Sequence, residues 1–556
     1  MKKVVIADPL SAEGTERLQS EGMIEVDDCS SLSREQLEQA LTEAAGLVVR
    51  SGTTVDGELL DHAPHLEVIG RAGVGLDNID LDEATRRGIA VVNAPGGNIR
   101  STTELTFGLM LAAARRIAEA DRSLREGNWD RKGLRGTQLH GKTLGVIGAG
   151  RIGSEVVRRA RVFGMNVLIS DPYITTQRAR DQGAEAVELE DLLRQSDFVS
   201  LHVPLNESTR DLIGAAEMEH MKPGAFLINA SRGGVVVESA LADALGDGKL
   251  AGAALDVYAD EPLPADSPLR SAPGLVMTPH LGASTNEAQR EVALEIADAV
   301  RNALVHGDLR AAVNAPHVAP ADRPRLTPVL GLAESLGRLL AEITGSRCDR
   351  LEVRYAGPLG DVLRPLAASA VEGYLTSTVG LSINLVNALV LATSRGIQVA
   401  RVRLGKLPPY SNHVELAAMT DDKEVVVAGA LLGDGRPRIV RIGKFHVDTI
   451  PSGTLLLIRN QDVPGVIGEV GTILGDAGVN IAGYHQSRLE AGGEALAVLS
   501  LDDALDREAL EELGRLPGVH EVRQIHFEPQ PRPRPLHELE PIEEQSPDPV
   551  GAPSSG

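Results

Sequence analysis

The sequence predicts an α/β protein built on parallel, doubly wound sheets and extended by smaller mixed modules. Three observations predict it. Short apolar runs alternate with helical patterns from the first residues to about residue 304. One of these runs feeds directly into Gly148-Ala-Gly-Arg-Ile-Gly153, and a stretch with four prolines at 316–328 separates the series from a region with apolar runs of its own. At 556 residues the chain has room for about three to four domains.

The elements follow in order. Buried-strand runs stand at 4–7, 47–49, 66–69 and 89–92, with a helical stretch at 12–22 behind the first. Ser101-Thr102-Thr103-Glu104 has the capping-box pattern and is expected to start one long helix that ends before Gly127. A second series begins at Lys142, with strands at 144–147, 167–169, 198–201, 225–229, 253–255 and 275–278 and a helix at 285–304. Six strands with helices between them match the doubly wound, Rossmann-type nucleotide fold. The proline stretch reads as a linker, followed by a mixed region with a helix at 330–343 and a strand at 425–427. A last small unit opens at 455–458 and ends near 527; the Pro-, Glu- and Ser-rich residues 528–556 are expected to be disordered.

Composition narrows the function. Lys plus Arg is 55 against 78 for Asp plus Glu, a formal charge of −23, so no positive field gathers nucleic acid. Two cysteines, Cys29 and Cys348, make neither a disulfide framework nor a cysteine-rich zinc site, and no metal is expected. The apolar run at the start is too short for a signal peptide, and no stretch has the length of a spanning helix. A cytoplasmic protein without membrane contact is expected. Aromatics are only 2%, so Val, Leu, Ile and Ala must fill the core.

The glycine loop carries the first chemistry. It follows a strand and opens a helix, and Asp171 stands 18 residues beyond Gly153 at the end of the next strand. Gly148 permits the tight turn, Gly150 lets backbone approach a pyrophosphate, and Gly153 lets helix and strand pack closely. The helix N-terminus offers free N–H groups to phosphate. Asp171 would accept hydrogen bonds from ribose hydroxyls and repel a 2′-phosphate, which favours NAD over NADP.

Three charged residues then follow successive strands of this half: Arg232, Glu261 and His280. Ligands bind beyond the carboxyl ends of such strands, so all three face the cofactor crevice. Hydride transfer from a carbon bearing a hydroxyl needs a base for the hydroxyl proton, a task suited to His280. Glu261 is the natural group to orient the ring. Arg232 can clamp a carboxylate or polarise the neighbouring oxygen. Residue type alone does not select His280 among 14 histidines; its position relative to the glycine loop does.

These residues resemble a known family. Gly70-Arg-Ala-Gly-Val-Gly-Leu-Asp-Asn-Ile-Asp80, the glycine loop, Asn229-Ala-Ser-Arg-Gly-Gly234, Gly252-Ala-Ala-Leu-Asp-Val-Tyr258 with Glu261-Pro262, and Pro279-His-Leu-Gly-Ala-Ser284 resemble the D-isomer-specific 2-hydroxyacid dehydrogenases. From about residue 1 to 527 the chain is similar to their long phosphoglycerate dehydrogenase branch. The resemblance implies a flavodoxin-like substrate domain of residues 1–98 plus 284–315, with the nucleotide domain, 99–283, inserted in it. An α+β intervening domain would follow at 316–450 and a βαββαβ ACT domain at 451–527.

By the same resemblance Arg232, Glu261 and His280 form the catalytic trio. NAD would be held by Gly148, Gly150, Arg151, Ile152, Gly153, Asp171, Val203, Pro204, Ala230, Ser231, Arg232, Asp256, His280 and Gly282. The substrate, D-3-phosphoglycerate, would meet Arg50, Ser51, Val74, Gly75 and Asn98: backbone at Val74 and Gly75 for the carboxylate, Arg50 and Ser51 for the phosphate. Trp129 and Arg131 lie where relatives exchange contacts across a dimer, and a homotetramer is implied. In the ACT module Asn460-Gln-Asp-Val-Pro-Gly-Val-Ile-Gly468 and Gly478-Val-Asn-Ile481 imply a site for L-serine at Asn460, Asp462 and Asn480. Alternative readings are a glyoxylate or hydroxypyruvate reductase, and an NADH-sensing binding protein.

Overall fold

The computed structural model describes residues 1–316, 322–345, 348–376, 383–405, 411–420, 423–433 and 435–527. The expected disorder of 528–556 lies outside the described residues, as does part of the proline stretch. The described residues form two compact units, 1–80 with 91–311 and 81–90 with those from 312 to 527.

The first unit holds two sheets. In the smaller, the strands run in the order Ile24–Asp28, Lys2–Ile6, Gly46–Val49, Val68–Arg71, Ala90–Asn93, the flavodoxin-like arrangement. Its inner strands are apolar on both faces: every residue of Gly46–Val49 is buried. Helix Asn286–His306 returns from the nucleotide domain to this sheet, where Ile296 and Val300 pack directly on Gly70.

The larger sheet is entirely parallel, in the order Leu275–Met277, Leu250–Leu255, Ala225–Asn229, Phe198–Leu201, Thr143–Ile147, Asn166–Ser170, Glu185–Ala186. The strand order reverses between Thr143–Ile147 and Phe198–Leu201, and the crevice that binds ligands in such sheets lies there. Seven strands stand where six were expected. The extra one, Glu185–Ala186, is a two-residue edge strand too short and too polar to leave an apolar run.

Two helical expectations are corrected. The helix after the first sheet begins at Ile99, not at a Ser101 capping box, and it ends at Ala114. A second helix, Ile117–Arg125, follows after Arg116 adopts the left-handed conformation, φ 53°. No residue of Ile117–Arg125 is buried, although Ile117 and Leu124 are more than half exposed apolar side chains.

The second unit carries a six-stranded mixed sheet and a four-stranded antiparallel one. The latter, with Gly453–Gln461, helix Val466–Asp476, Ile481–Arg488, Glu494–Leu501, helix Arg507–Arg515 and Val519–Phe527, is the expected βαββαβ module. Its two central strands, Gly453–Gln461 and Glu494–Leu501, are largely buried on both faces. Leu456, Ile458 and Leu499 pack under the module's own helices with Val470 and Leu474. Leu455, Leu457, Val498, Ile525 and Phe527 join the core of helix Arg323–Thr344, with Leu332, Leu336 and Leu340. That helix overturns part of the proline linker: Pro324 occupies its first turn, where a missing N–H costs nothing, and Pro328 follows inside it.

Candidate active site

The nucleotide loop has the geometry its sequence predicts. Gly148 sits at φ 90°, and a Cβ on Gly153 would lie 2.0 Å from the Gly148 carbonyl oxygen, so the helix can meet the turn only through glycine. Helix Arg151–Val162 starts with no side-chain cap, which leaves its first N–H groups to a ligand. Asp171 accepts from the Ala149 N–H at 2.7 Å and the Tyr173 N–H at 2.8 Å, so its carboxylate is held at the mouth of the loop. A bare glycine turn, free helix amides and a fixed acid at the end of the next strand fit NAD.

Beneath the loop lies His202, whose backbone oxygen touches the face of Gly148 and whose Nε2 is 2.9 Å from Ser200 Oγ. Burial of the ring pushes its pKa down to about 4. The unfolded chain therefore binds a proton that the folded one refuses between about pH 6.5 and pH 4, and stability falls as pH drops through that window. Allowing for the ring's residual exposure, His202→Gln is expected to remove about 2 kcal/mol of the acid destabilisation. Thermal unfolding of both proteins at pH 7 and pH 4.5 checks this; equal pH dependence would contradict it.

His280 follows the strand Leu275–Met277 in a left-handed conformation, φ 54°, costly for a residue with a Cβ. Its surroundings impose it. The His280 N–H donates to the Asp256 and Thr278 carbonyls at 2.9 and 3.1 Å. Asp256, 1% exposed, accepts from Thr278 Oγ1, Leu281 N–H and Gly282 N–H at 2.6–2.9 Å. The Gly282 carbonyl in turn accepts from Ser101 Oγ at 2.7 Å and Thr102 Oγ1 at 3.0 Å, which ties the loop to helix Ile99–Ala114.

On this platform His280 Nδ1 lies 2.7 Å from Glu261 Oε2, while Glu261 Oε1 accepts the Tyr258 N–H at 3.0 Å. The glutamate is held at both oxygens. The bond assigns the hydrogen of a neutral ring to Nδ1 and leaves Nε2 as the free acceptor. Both side chains are more than one-third exposed, so Nε2 opens toward the crevice.

Arg232 is carried by a turn that Asn229 builds. The Asn229 carboxamide accepts from Ser231 N–H and Oγ and donates to the Arg232 carbonyl. The Arg232 guanidinium donates to the Ser231 carbonyl at 2.7 Å and to Asp77 at 3.2 Å. It presses on Gly75, where a Cβ would stand 2.2 Å from Nη2. The N–H groups of Val74 and Gly75 have no acceptor among the described residues, and Asn93 holds the Val74 carbonyl at 2.7 Å. Asn98, just before helix Ile99–Ala114, has a buried carboxamide oxygen with no partner.

One residue escaped the sequence reading. Arg71 ends the strand Val68–Arg71 and folds over Gly73 with a buried, unpartnered Nε. Burial first, and then the nearby cations Arg232 and Arg50, push its pKa down to about 10, with Asp77 and Asp8 acting in the opposite sense. Three arginines thus converge on one spot. The signal was present: Arg71 ends a strand of the sheet whose neighbouring strand leads to Arg50.

In the ACT module the three expected effector residues are not brought together within one chain. Asn460, 3% exposed, donates to the Gln461 carbonyl and has a buried oxygen without a partner. Asp462 accepts from Arg488 at 2.8 Å and from Gln486 and the Gly492 N–H; the Arg488 bond holds its carboxyl below the usual range. Asn480 donates to Asp502 at 2.7 Å. Strand Ile481–Arg488 pairs Ile481 with Leu501 and Arg488 with Ala495, so Asn480 and Asp462 stand at opposite ends of it, about 25 Å apart at an ordinary strand rise.

Three family models match successive stretches of the chain. The NAD binding domain of the D-isomer specific 2-hydroxyacid dehydrogenases matches residues 107–282, the D-3-phosphoglycerate dehydrogenase intervening domain 325–443, and the ACT domain 454–518. The chain is 41% identical over 530 residues to D-3-phosphoglycerate dehydrogenase of Methanocaldococcus jannaschii, covering 95% of this chain and 100% of that one. It is 41% identical over 528 residues to the enzyme of the same name from Archaeoglobus fulgidus, covering 94% and 100%. Among solved structures, D-lactate dehydrogenase of Aquifex aeolicus, complexed with NAD and lactic acid, is 29% identical with a TM-score of 0.50, over 57% of this chain and 100% of that chain. A nucleotide loop fitted to NAD, a histidine–glutamate pair at another strand end of the same sheet and full-length likeness to these relatives place the chain in the D-isomer-specific 2-hydroxyacid dehydrogenase family, as an NAD-dependent oxidoreductase of its phosphoglycerate dehydrogenase branch.

Proposed function

We propose that the chain oxidises D-3-phosphoglycerate at C2 to 3-phosphohydroxypyruvate, and that L-serine inhibits it through the ACT module. The observation that carries the first part is the convergence of the His280–Glu261 pair, Arg232, and the cations Arg50 and Arg71 at the ends of strands facing one crevice. NAD, when bound, accepts the hydride from C2. His280 Nε2 takes the hydroxyl proton, and Glu261 offsets the positive charge that the ring gains. Arg232 holds the C2 oxygen and the carboxylate, with the Val74 and Gly75 N–H groups completing the carboxylate's hydrogen bonds. Arg50 and Arg71 take the phosphate, a dianion that suits a spot where cations otherwise repel.

Serine control on this reading requires a second copy of the chain, because Asn480 and Asp462 stand apart within one. Ile481–Arg488 is an edge strand, with Tyr484 39% and Leu489 50% exposed. Pairing two copies of this edge antiparallel brings Asn480 of one chain beside Asn460 and Asp462 of the other. Asp462 then offers a carboxylate to the amino group of serine, and the two asparagines suit its carboxylate and hydroxyl. The exposed, apolar-studded helix Ile117–Arg125 and Trp129, 79% exposed, supply a second self-association surface. Two such interfaces make a tetramer. The acidic, membrane-free chain suits the cytoplasm.

The test is NADH production at alkaline pH from D-3-phosphoglycerate and NAD⁺, repeated with L-serine. Activity that serine suppresses is the expected result. Activity indifferent to serine would demote the ACT site to a structural role, and inactivity with NADH still bound would move the substrate to another 2-hydroxy acid.

A further inference from the structure

We propose that Asp8, with Asn78, is a positioning residue for the substrate's phosphate, acting through the loop 50–53 that the two side chains clamp. The inference rests on the phosphoglycerate reading above and adds residues to it that touch neither substrate nor cofactor.

The clamp is a consequence of neighbouring parallel strands. Lys2–Ile6 and Gly46–Val49 pair with Ile6 opposite Val48, so Asp8 and the loop after Val49 leave the sheet side by side. Asp8 Oδ2 accepts the Arg50 N–H at 2.6 Å and the Thr53 N–H at 3.2 Å. From the other side, Asn78 Nδ2 donates to the carbonyls of the same two residues, at 2.7 Å to Arg50 and 2.6 Å to Thr53. Both ends of the loop are thus held through donor and acceptor alike. Between them Gly52 lies flat on the carboxylate: a Cβ there would stand 2.6 Å from Asp8 Oδ1.

The clamp leaves the middle of the loop with donors to spare. The N–H groups of Ser51 and Gly52 have no acceptor among the described residues. Two successive free amides in the loop that carries Arg50, leaving the sheet next to the strand end at Arg71, complement a phosphate, which carries three acceptor oxygens. A four-residue loop left untied would spend binding energy on ordering itself; tied, it meets the phosphate already arranged. Asp8 also counters part of the repulsion around Arg71, because it is one of the two acids that support that charge. A carboxylate serves both purposes, giving charge-assisted bonds to the loop and a negative charge beside clustered cations.

A residue that merely stabilised a turn would cost stability without regard to substrate. The discriminating pair is 3-phosphohydroxypyruvate and hydroxypyruvate, which differ only in the phosphate, each reduced by NADH with the full chain. Asp8→Ala is expected to raise KM for the phosphorylated substrate at least about tenfold while kcat falls less than about threefold, and to change KM for hydroxypyruvate less than about twofold. Inorganic phosphate should compete with hydroxypyruvate in the wild type, with an inhibition constant about tenfold weaker in Asp8→Ala. Asp8→Asn, which keeps an acceptor but not the charge, should recover part of both losses. If Asp8→Ala does not fold, Asp8→Asn and Asn78→Ser carry the same comparison with smaller shifts in the same direction. Equal losses on both substrates, or an unchanged inhibition constant for phosphate, would overturn the proposal. A wild type that ignores the phosphate on its substrate would instead sink the phosphoglycerate reading, and phosphate competition would still judge the loop.

Discussion

Replacing His280 by alanine is expected to lower kcat by about three orders of magnitude while NADH affinity changes less than about twofold. The separation of the two effects comes from the geometry. The imidazole reaches the crevice from a loop fixed by Asp256, whose carboxylate holds Thr278, Leu281 and Gly282 and would go on holding them in the variant. The nucleotide loop, with Gly148, Gly153 and Asp171, lies on other strands and is untouched. Glu261→Gln should cost less, about one to two orders of magnitude, because the amide oxygen can still orient Nδ1 but cannot offset the imidazolium charge. The double variant should be little worse than His280→Ala alone, since the two side chains act as one unit. Steady-state kinetics with NADH fluorescence titration reads all three. An active His280→Ala enzyme would remove the histidine from the mechanism.

What could be read from the chain in advance depended on where each element is buried. Phe198–Leu201 and Ala225–Asn229 occupy the bounds their apolar runs predict, because a strand in the middle of a parallel sheet is covered on both faces and nearly every residue is apolar; the two exceptions, Ser200 and Asn229, are buried with hydrogen-bond partners. Ile24–Asp28 left no such run. It is an edge strand reading Ile-Glu-Val-Asp-Asp, and only Ile24 is buried. The break at Arg116 was invisible for another reason: neither glycine nor proline marks it, and the residue in the left-handed region is an arginine, whose guanidinium bonds Glu119. The catalytic candidates were legible because a glycine loop fixes which strand ends face the ligand. Asp8, Asn78 and Ser101 were not, since each works through a hydrogen bond to a backbone atom far away in sequence. The expected effector set is the part that one chain does not bring together, because Asn480 and Asp462 stand at opposite ends of the strand Ile481–Arg488.

Arg71 is the residue for which stability and activity should part company. Its Nε is buried without a partner, and its neighbours Arg50 and Arg232 carry the same charge. In the free protein this is a cost, because a desolvated cation among cations is repaid only in part by Asp8 and Asp77. A phosphorylated, carboxylated substrate reverses the balance, supplying negative charge where the three cations converge. Arg71→Met keeps much of the length of the side chain that covers Gly73 and removes the charge. The variant is expected to melt a few degrees above the wild type in the absence of ligand, about 1–2 kcal/mol of relief. It should nonetheless raise KM for the phosphorylated substrate about a hundredfold, the loss of a buried charge-assisted contact. Adding substrate should then raise the melting temperature of the wild type far more than that of Arg71→Met. A variant that both melts lower and binds normally would mean that the arginine serves the fold alone. The opposite signs carry the weight here: losing a structural side chain does not stabilise a protein, and losing a surface charge does not empty a binding site.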